Sequence, residues 1–360
     1  MAQTNFDLSN LAVQCMAPNN ELLYDDKGKP SIMVKIPKMT YAQLGLGDST
    51  DTFPAFIVDG VEKDYIWISK YQNIVQDGRA YSLPAQDPKT SINFDSAVAA
   101  CKAKGNGWHL MTKVEWALLA WWCKRNGTMP YGNNNYGKDS RESNYKAIPT
   151  YSSGGQTNRV ATGTGPLTWS HDKTLGGIWD LNGNVSEWVG GIRFVYGELQ
   201  LLVNNNAADS SHSQAAASAE WKAVDATSGD FVTPDGSGTT SNTLKLSWGN
   251  SKWTWDTSAG TLTSTYQSCT FVNVAISGNV SAAAKEVLYA YALAPDDTTF
   301  DYEGDMFYAN SGEAERAVYR GGNWGNGTAG GVFYFDAHNA RSISYDFIGG
   351  RSAYVEIPEI

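Results

Sequence analysis

The sequence predicts an α+β chain: two helices set among short β-strands and long structured loops, plus a β-rich insertion. Three observations carry this. Short β-branched and aromatic runs bounded by turn residues recur along the chain. Apolar residues repeat at helical spacing in two stretches, one near 94–103 and one beginning at Thr112. Between them Gly, Asn, Ser and Tyr dominate, with 36 Gly and 19 Tyr in 360 residues. Apolar residues at 42% are enough for a core, and charged residues at only 18% argue against global disorder.

Residues 1–50 read as an N-terminal strand and loop segment, with Ile32-Met33-Val34-Lys35-Ile36 strand-like. The main domain is expected over 51–360. In it, apolar runs flank Asp59-Gly60, a hairpin signal, and lead to Tyr65-Ile66-Trp67-Ile68-Ser69. The first helix is predicted from Phe94 to Ala103, with Phe94, Val98 and Cys101 on one face and Gly105 as a stop. The second opens on Thr112-Lys113-Val114-Glu115, a capping box, and repeats Val114, Leu118 and Trp122. Lys124 and Arg125 suit its C-terminal end, and Gly127 its stop. Residues 126–158 read as long loops. Residues 193–310 read as the insertion, with strand-like Lys245–Trp248 and Thr270–Val274. Its Ala/Ser tract 207–219, containing Ser211-His212-Ser213-Gln214, is expected as a surface loop. No internal repeat is evident.

Composition also excludes functions. A net charge of −10 without basic runs makes a poor nucleic-acid binder. No stretch is long and apolar enough for a membrane span. The start, Met1-Ala2-Gln3-Thr4-Asn5, lacks the basic and apolar regions of a Sec-type signal. Cys15, Cys101, Cys123 and Cys269 show no zinc spacing. Cys101 and Cys123 are expected as buried thiols, with a disulfide between them left open. His109, His171, His212 and His338 are scattered, and no GxSxG elbow is present. Gly325-Asn326-Gly327-Thr328-Ala329-Gly330 matches GxGxxG, but neither a buried parallel strand before it nor a helix after it is in view.

Asn182-Gly183-Asn184-Val185-Ser186-Glu187-Trp188 is oxygen-rich. Asn184 and Glu187 are therefore metal-ligand candidates, with calcium as the cation they would suit. The competing reading is a tight polar turn over a buried Trp188. It is favoured, because only one carboxylate is supplied.

Several pieces fall in one order: Phe56-Ile57-Val58-Asp59, Ile68-Ser69-Lys70-Tyr71, Trp108-His109-Leu110-Met111-Thr112, Gly177-Ile178-Trp179-Asp180-Leu181-Asn182-Gly183-Asn184-Val185-Ser186-Glu187-Trp188, Val318-Tyr319-Arg320-Gly321-Gly322-Asn323-Trp324 and Ile348-Gly349-Gly350-Arg351. This resembles the formylglycine-generating-enzyme (sulfatase-modifying) family, a variant of the C-type lectin fold, over about 55–355. The GNVxEW and RGGxW elements are the specific part. Enzymes of that family carry reactive cysteines shortly after RGG and use thiolates to bind copper and activate oxygen. Here 323–341 contains no cysteine, so the resemblance does not extend to the oxidase chemistry.

The run from Arg320 to Ile348 also resembles the variable region of proteins diversified by retroelements, a group that includes phage tropism determinants. That resemblance implies a template copied with errors at adenines. An AAC codon then yields many residues but never Lys, Glu, Gln, Met or Trp. Residues 325–349 contain none of the five, where roughly four would match the chain's own usage. Framework residues alternate there with adenine-compatible ones: Gly325, Asn326, Thr328, Ala329, Tyr334, Asp336, His338, Ile343, Tyr345, Asp346 and Phe347. Their chemistry is that of a paratope.

The expectation is thus a non-enzymatic, hypervariable ligand-binding protein of receptor-binding or adhesin type. Its variable face lies within 320–354, and Gly321, Gly322, Trp324, Arg341 and Arg351 serve as framework. The implied partner is a bacterial surface protein or glycan, and the implied place a phage virion, tail-associated, or a bacterial cell. No cofactor is required, and calcium is the one the residues admit. Two alternatives stay open: a sulfatase-modifying-type oxidase with altered chemistry, and a lectin of fixed specificity.

Overall fold

The computed structural model describes residues 7–144 and 147–358. The stretch Met1–Asn5, read above for a secretion signal, lies outside them. Two sheets organise the chain around a central helix. The smaller sheet has five antiparallel strands in the order Asn20–Tyr24, Pro30–Pro37, Tyr65–Ser69, Ser352–Tyr354, Trp108–Leu110. The N-terminal segment therefore builds the same sheet as the main domain, with Met33 and Val34 fully buried. Its helix α1 (Leu8–Met16) was signalled by no periodicity. It is capped by Asp7, whose carboxylate accepts the Ser9 and Asn10 amides.

Asp59 and Gly60 join Ile57–Val58 to Val61–Glu62 with φ of 50° and 73°, the left-handed pair that a two-residue hairpin of this type needs. The hairpin is only two pairs long, and Tyr65–Ser69 leaves it for the five-stranded sheet.

Helix α2 (Phe94–Lys102) is capped by Asn93 and buries Phe94, Ala97, Ala100 and Cys101. Helix α3 (Lys113–Asn126) has the full capping box, with Thr112 Oγ1 accepting the Glu115 amide and the Glu115 carboxylate accepting the Thr112 amide. Gly127 ends it at φ 65°. Thr112 also donates to Asn205 Oδ1 at 2.7 Å. Thr112→Ala is therefore expected to cost about 1–2 kcal/mol, read as a lowered urea midpoint. The predicted stripe on α3 is wider than periodicity suggested. Trp116 and Trp121 are fully buried, and nearly every residue up to Cys123 is buried too. The Trp116 indole donates to the Val332 carbonyl and the Trp121 indole to that of Tyr289.

The larger sheet has twelve strands. Along its main path run Gln267–Thr270, Met306–Ala309, Phe335–Ala337, Arg316–Arg320, Ser186–Val195, Glu198–Leu201, Lys245–Gly249, Lys252–Asp256 and Ala275–Ile276. Residues 193–310 thus extend the sheet on both sides of the Ser186–Val195 and Arg316–Arg320 pair. Two details differ from the sequence reading. The insertion contains a helix, α4 (Ala282–Ala290), capped by Ser281. Phe271–Asn273 is a 3-10 turn and not part of a strand. The 207–219 tract is a surface loop anchored by a buried Gln214, whose side-chain carbonyl accepts the Gly191 amide. All four cysteines are free, Cys101, Cys123 and Cys269 buried and Cys15 exposed. No helix among the described residues is long and apolar enough to cross a membrane.

Candidate functional site

The C-terminal segment begins with the Arg316–Arg320 strand and turns at Gly321 and Gly322. Their φ values of 85° and 73° suit glycine, and a Cβ on Gly322 would lie 2.9 Å from Gly330 Cα. The GxGxxG stretch that follows is a tight turn containing a 3-10 helix, Gly327–Ala329. Asn326 Oδ1 accepts the Asn323 amide, Asn323 Oδ1 accepts the Gly325 amide, and the Gly327 amide donates to the Asn134 carbonyl. No long helix opens there, so no dipole faces a pyrophosphate. The chain then enters the sheet at Phe335–Ala337, between Met306–Ala309 and Arg316–Arg320.

From Ala340 to Phe347 a loop returns across the surface. Arg341 fastens it, reaching Asp95 on α2, Glu315 at 3.1 Å and the Gln214 carbonyl at 2.9 Å. The Ser91 amide donates to the Tyr345 carbonyl and the Ser186 amide to that of Phe347. The loop backbone is held by the core while Tyr345 and Asp346 stay exposed. The Tyr345 and Phe347 rings stack at 5.1 Å, and Trp324 meets Phe347 edge-on at 6.4 Å. Through Trp324 the 325–329 turn and the 343–347 loop adjoin. Tyr136, which sequence reasoning missed, lies beside Gly325, and its amide donates to the Trp324 carbonyl. Nothing in its loop-like surroundings marked it.

The eleven candidate variable residues divide into three groups. Gly325, Thr328, Tyr345 and Asp346 are exposed; Asn326, Ala329, His338, Ile343 and Phe347 are half-buried. Tyr334 and Asp336 are corrections, because they are buried, at 3% and 2% exposure. Asp336 accepts the Tyr334 hydroxyl at 3.0 Å and the His338 Nδ1–H at 2.5 Å, so it positions its neighbours from inside. Tyr334 packs with Trp188, Tyr319 and Phe94 in a cluster that α2 and the returning loop cover.

The framework expectation for Arg351 holds geometrically. Its guanidinium meets both Glu187 oxygens at 2.6 Å and donates to the Ser69 and Trp179 carbonyls, all fully buried. This corrects the metal reading of Asn184 and Glu187. Glu187 is spent on Arg351 and on the Gln72 amide. Asn184 is saturated by Gln72, Val160 and Asn133. With every oxygen used and the pair 0% and 1% exposed, these residues do not fit calcium. Among the described residues no group of three His, Cys, Asp or Glu is placed to hold a metal. Burial pushes the Cys101 thiol up to about 12 and raises Cys123 and Cys269 as well, away from reactive thiolate.

Asp305 supports the segment from below, accepting the Phe333 amide at 2.6 Å. Burial pushes its carboxyl from 3.8 up to about 8. Across that window the unfolded chain releases the proton while the folded chain keeps it, so stability falls as pH rises. Asp305→Asn should flatten this fall, read as urea midpoints between about pH 4 and about pH 8.

Residues 49–193 match the family described as sulfatase-modifying factor enzyme 1-like domain. Among curated proteins, none matches this sequence. The solved structure of PvdO from Pseudomonas aeruginosa is similar at 14% identity and a TM-score of 0.37, covering 92% of this chain and 97% of that one. Treponema denticola variable protein 1 is similar at 12% identity and 0.34, covering 94% and 99%. The Major Tropism Determinant P3c variant is similar at 10% and 0.30, covering 93% and 71%. All three are distant; the family match and the chain's own strand order carry the fold. The match ends within the Ser186–Val195 strand, and both Arg316–Arg320 and Ile348–Gly349 pair with that same strand. The fold is thus the C-type lectin-like fold of formylglycine-generating-enzyme type, completed by the C-terminal segment.

Proposed function

We propose that this chain is a non-enzymatic, hypervariable ligand-binding protein of the kind diversified by retroelements. Its binding face is made by Gly325, Asn326, Thr328, Ala329, His338, Ile343, Tyr345, Asp346 and Phe347. One observation carries the reading. These side chains stand on loops whose backbone amides and carbonyls are bonded to the core, as at Tyr345, Phe347 and Gly327. The side chains can therefore change while the scaffold stays fixed. The adenine-compatible composition of 325–349 supports it. The absence of a thiol from 323–341 weighs against copper–oxygen chemistry. The partner would be a bacterial surface protein or glycan, and the setting a phage virion or bacterial cell.

The test is a library randomised at these nine positions. Members changed at the exposed Gly325, Thr328, Tyr345 and Asp346 should keep a melting temperature within a few degrees of the parent, because surface substitutions usually change stability by less than about 0.5 kcal/mol. A library that mostly fails to fold would sink the reading. So would oxygen consumption with copper and a cysteine-containing peptide. EDTA should leave binding by selected members unchanged, as measured by interferometry.

A further inference from the structure

The insertion does not end away from the binding face. Its strands Gln267–Thr270 and Met306–Ala309 continue the large sheet beyond Phe335–Ala337. The register aligns Ser268, Tyr308, Asp336 and Tyr319 across four strands, so they share one side. At that edge Tyr266 is 58% exposed. Its ring lies 5.2 Å from that of His338 and 6.1 Å from that of Tyr308. The half-buried Tyr308 in turn meets Tyr334 at 5.6 Å. Four rings form one continuous shelf, two from the insertion and two from the variable segment.

We propose that Tyr266 and Tyr308 are fixed contact residues of the binding face, and that with His338 they receive an arginine or lysine side chain of a protein partner. This rests on the reading that 325–347 is the binding face. Two features select a cation over a sugar. First, the polar groups that the variable segment gives the shelf are already paired with one another. Asp336 holds Tyr334 and His338, and Asn339 donates to the remaining His338 nitrogen. Of the four rings, the Tyr266 and Tyr308 hydroxyls alone are left to read a pattern of sugar hydroxyls, whereas a cation needs only ring faces. Second, the charge is complementary. The Asp336 carboxylate accepts from the Tyr334 and His338 rings, and Arg316, linked to this edge through Asn310, is turned onto Glu313 at 3.5 Å. The chain as a whole carries −10, which draws in basic surfaces. Two aromatic side chains outside the exchangeable loops would supply affinity while the loops supply choice.

The experiment uses the full chain with labelled tyrosine and histidine rings, titrated with N-acetylarginine methylamide, its neutral citrulline counterpart and a methyl glycoside. The arginine probe should shift the Tyr266, Tyr308 and His338 signals, and the citrulline probe should bind about fivefold more weakly. Tyr266→Ala should weaken the arginine response by a similar factor, and Tyr24→Ala, which removes an exposed tyrosine of the small sheet, should not. Equal response to arginine and citrulline, or a stronger response to the glycoside, overturns the cationic assignment. A second arm selects the loop library against lysozyme, a basic protein, with Tyr266 intact or replaced by alanine. Richer recovery with Tyr266 supports the shelf. Equal recovery from both overturns the role of Tyr266 while the binding face stands. No binders from either library overturns the face itself.

Discussion

Arg351→Met should lower the stability of the chain by about 3–5 kcal/mol, the largest effect expected of any single change outside the aromatic core. The guanidinium is fully buried and makes four hydrogen bonds: two to Glu187 and one each to the Ser69 and Trp179 carbonyls. These partners belong to the small sheet, the loop before the large sheet, and the first strand of the large sheet, so one side chain joins both sheets. Methionine keeps much of the volume, which separates the electrostatic loss from a cavity. The loss arises mainly because Glu187 would be left buried with only Gln72 beside it. The double variant Glu187→Gln/Arg351→Met should recover a good part of the deficit, since replacing both charges removes the orphan. Urea midpoints of the parent, both singles and the double complete the cycle. A single variant within about 0.5 kcal/mol of the parent would overturn the role given to Arg351.

Local signals translated well from sequence to structure. The capping box at Thr112 and Glu115, the stop at Gly127 and the hairpin at Asp59-Gly60 each involve groups a few residues apart, and each formed as expected. Long-range pairing was not legible. Nothing in Asn20–Pro37 says that it joins Tyr65–Ser69, or that Ser352–Tyr354 lies beyond. The oxygen-rich Asn184 to Glu187 turn was readable as polar, but its partners Gln72, Val160 and Arg351 come from three other parts of the chain. The variable segment shows the limit most directly. Alternation indicates that Tyr334, Asp336 and His338 share a side of their strand. It cannot say whether that side is covered, because the cover comes from α2, from Met306 and Tyr308, and from the returning loop at Ile343 and Phe347.

That distinction gives the second large prediction. Tyr334→Ala should cost about 3–5 kcal/mol, as for other large aromatics removed from a core. Its ring is 3% exposed among Trp188, Tyr319 and Phe94, and its hydroxyl donates to Asp336. Tyr345→Ala should cost less than about 0.5 kcal/mol, because that ring is 43% exposed and stacks only on Phe347. Both positions sit in the same adenine-compatible stretch, and composition alone ranks them equally. If variation is tolerated where the fold allows it, substitutions at 334 must be restricted to residues that fill the same space, such as phenylalanine. Position 345 should accept charge, size and shape without loss. Melting curves for alanine, phenylalanine, aspartate and serine at both positions separate the two. Equal sensitivity at 334 and 345 would mean that the loop carrying Tyr345 is part of the core, and the binding face would then shrink to the turn at 325–329.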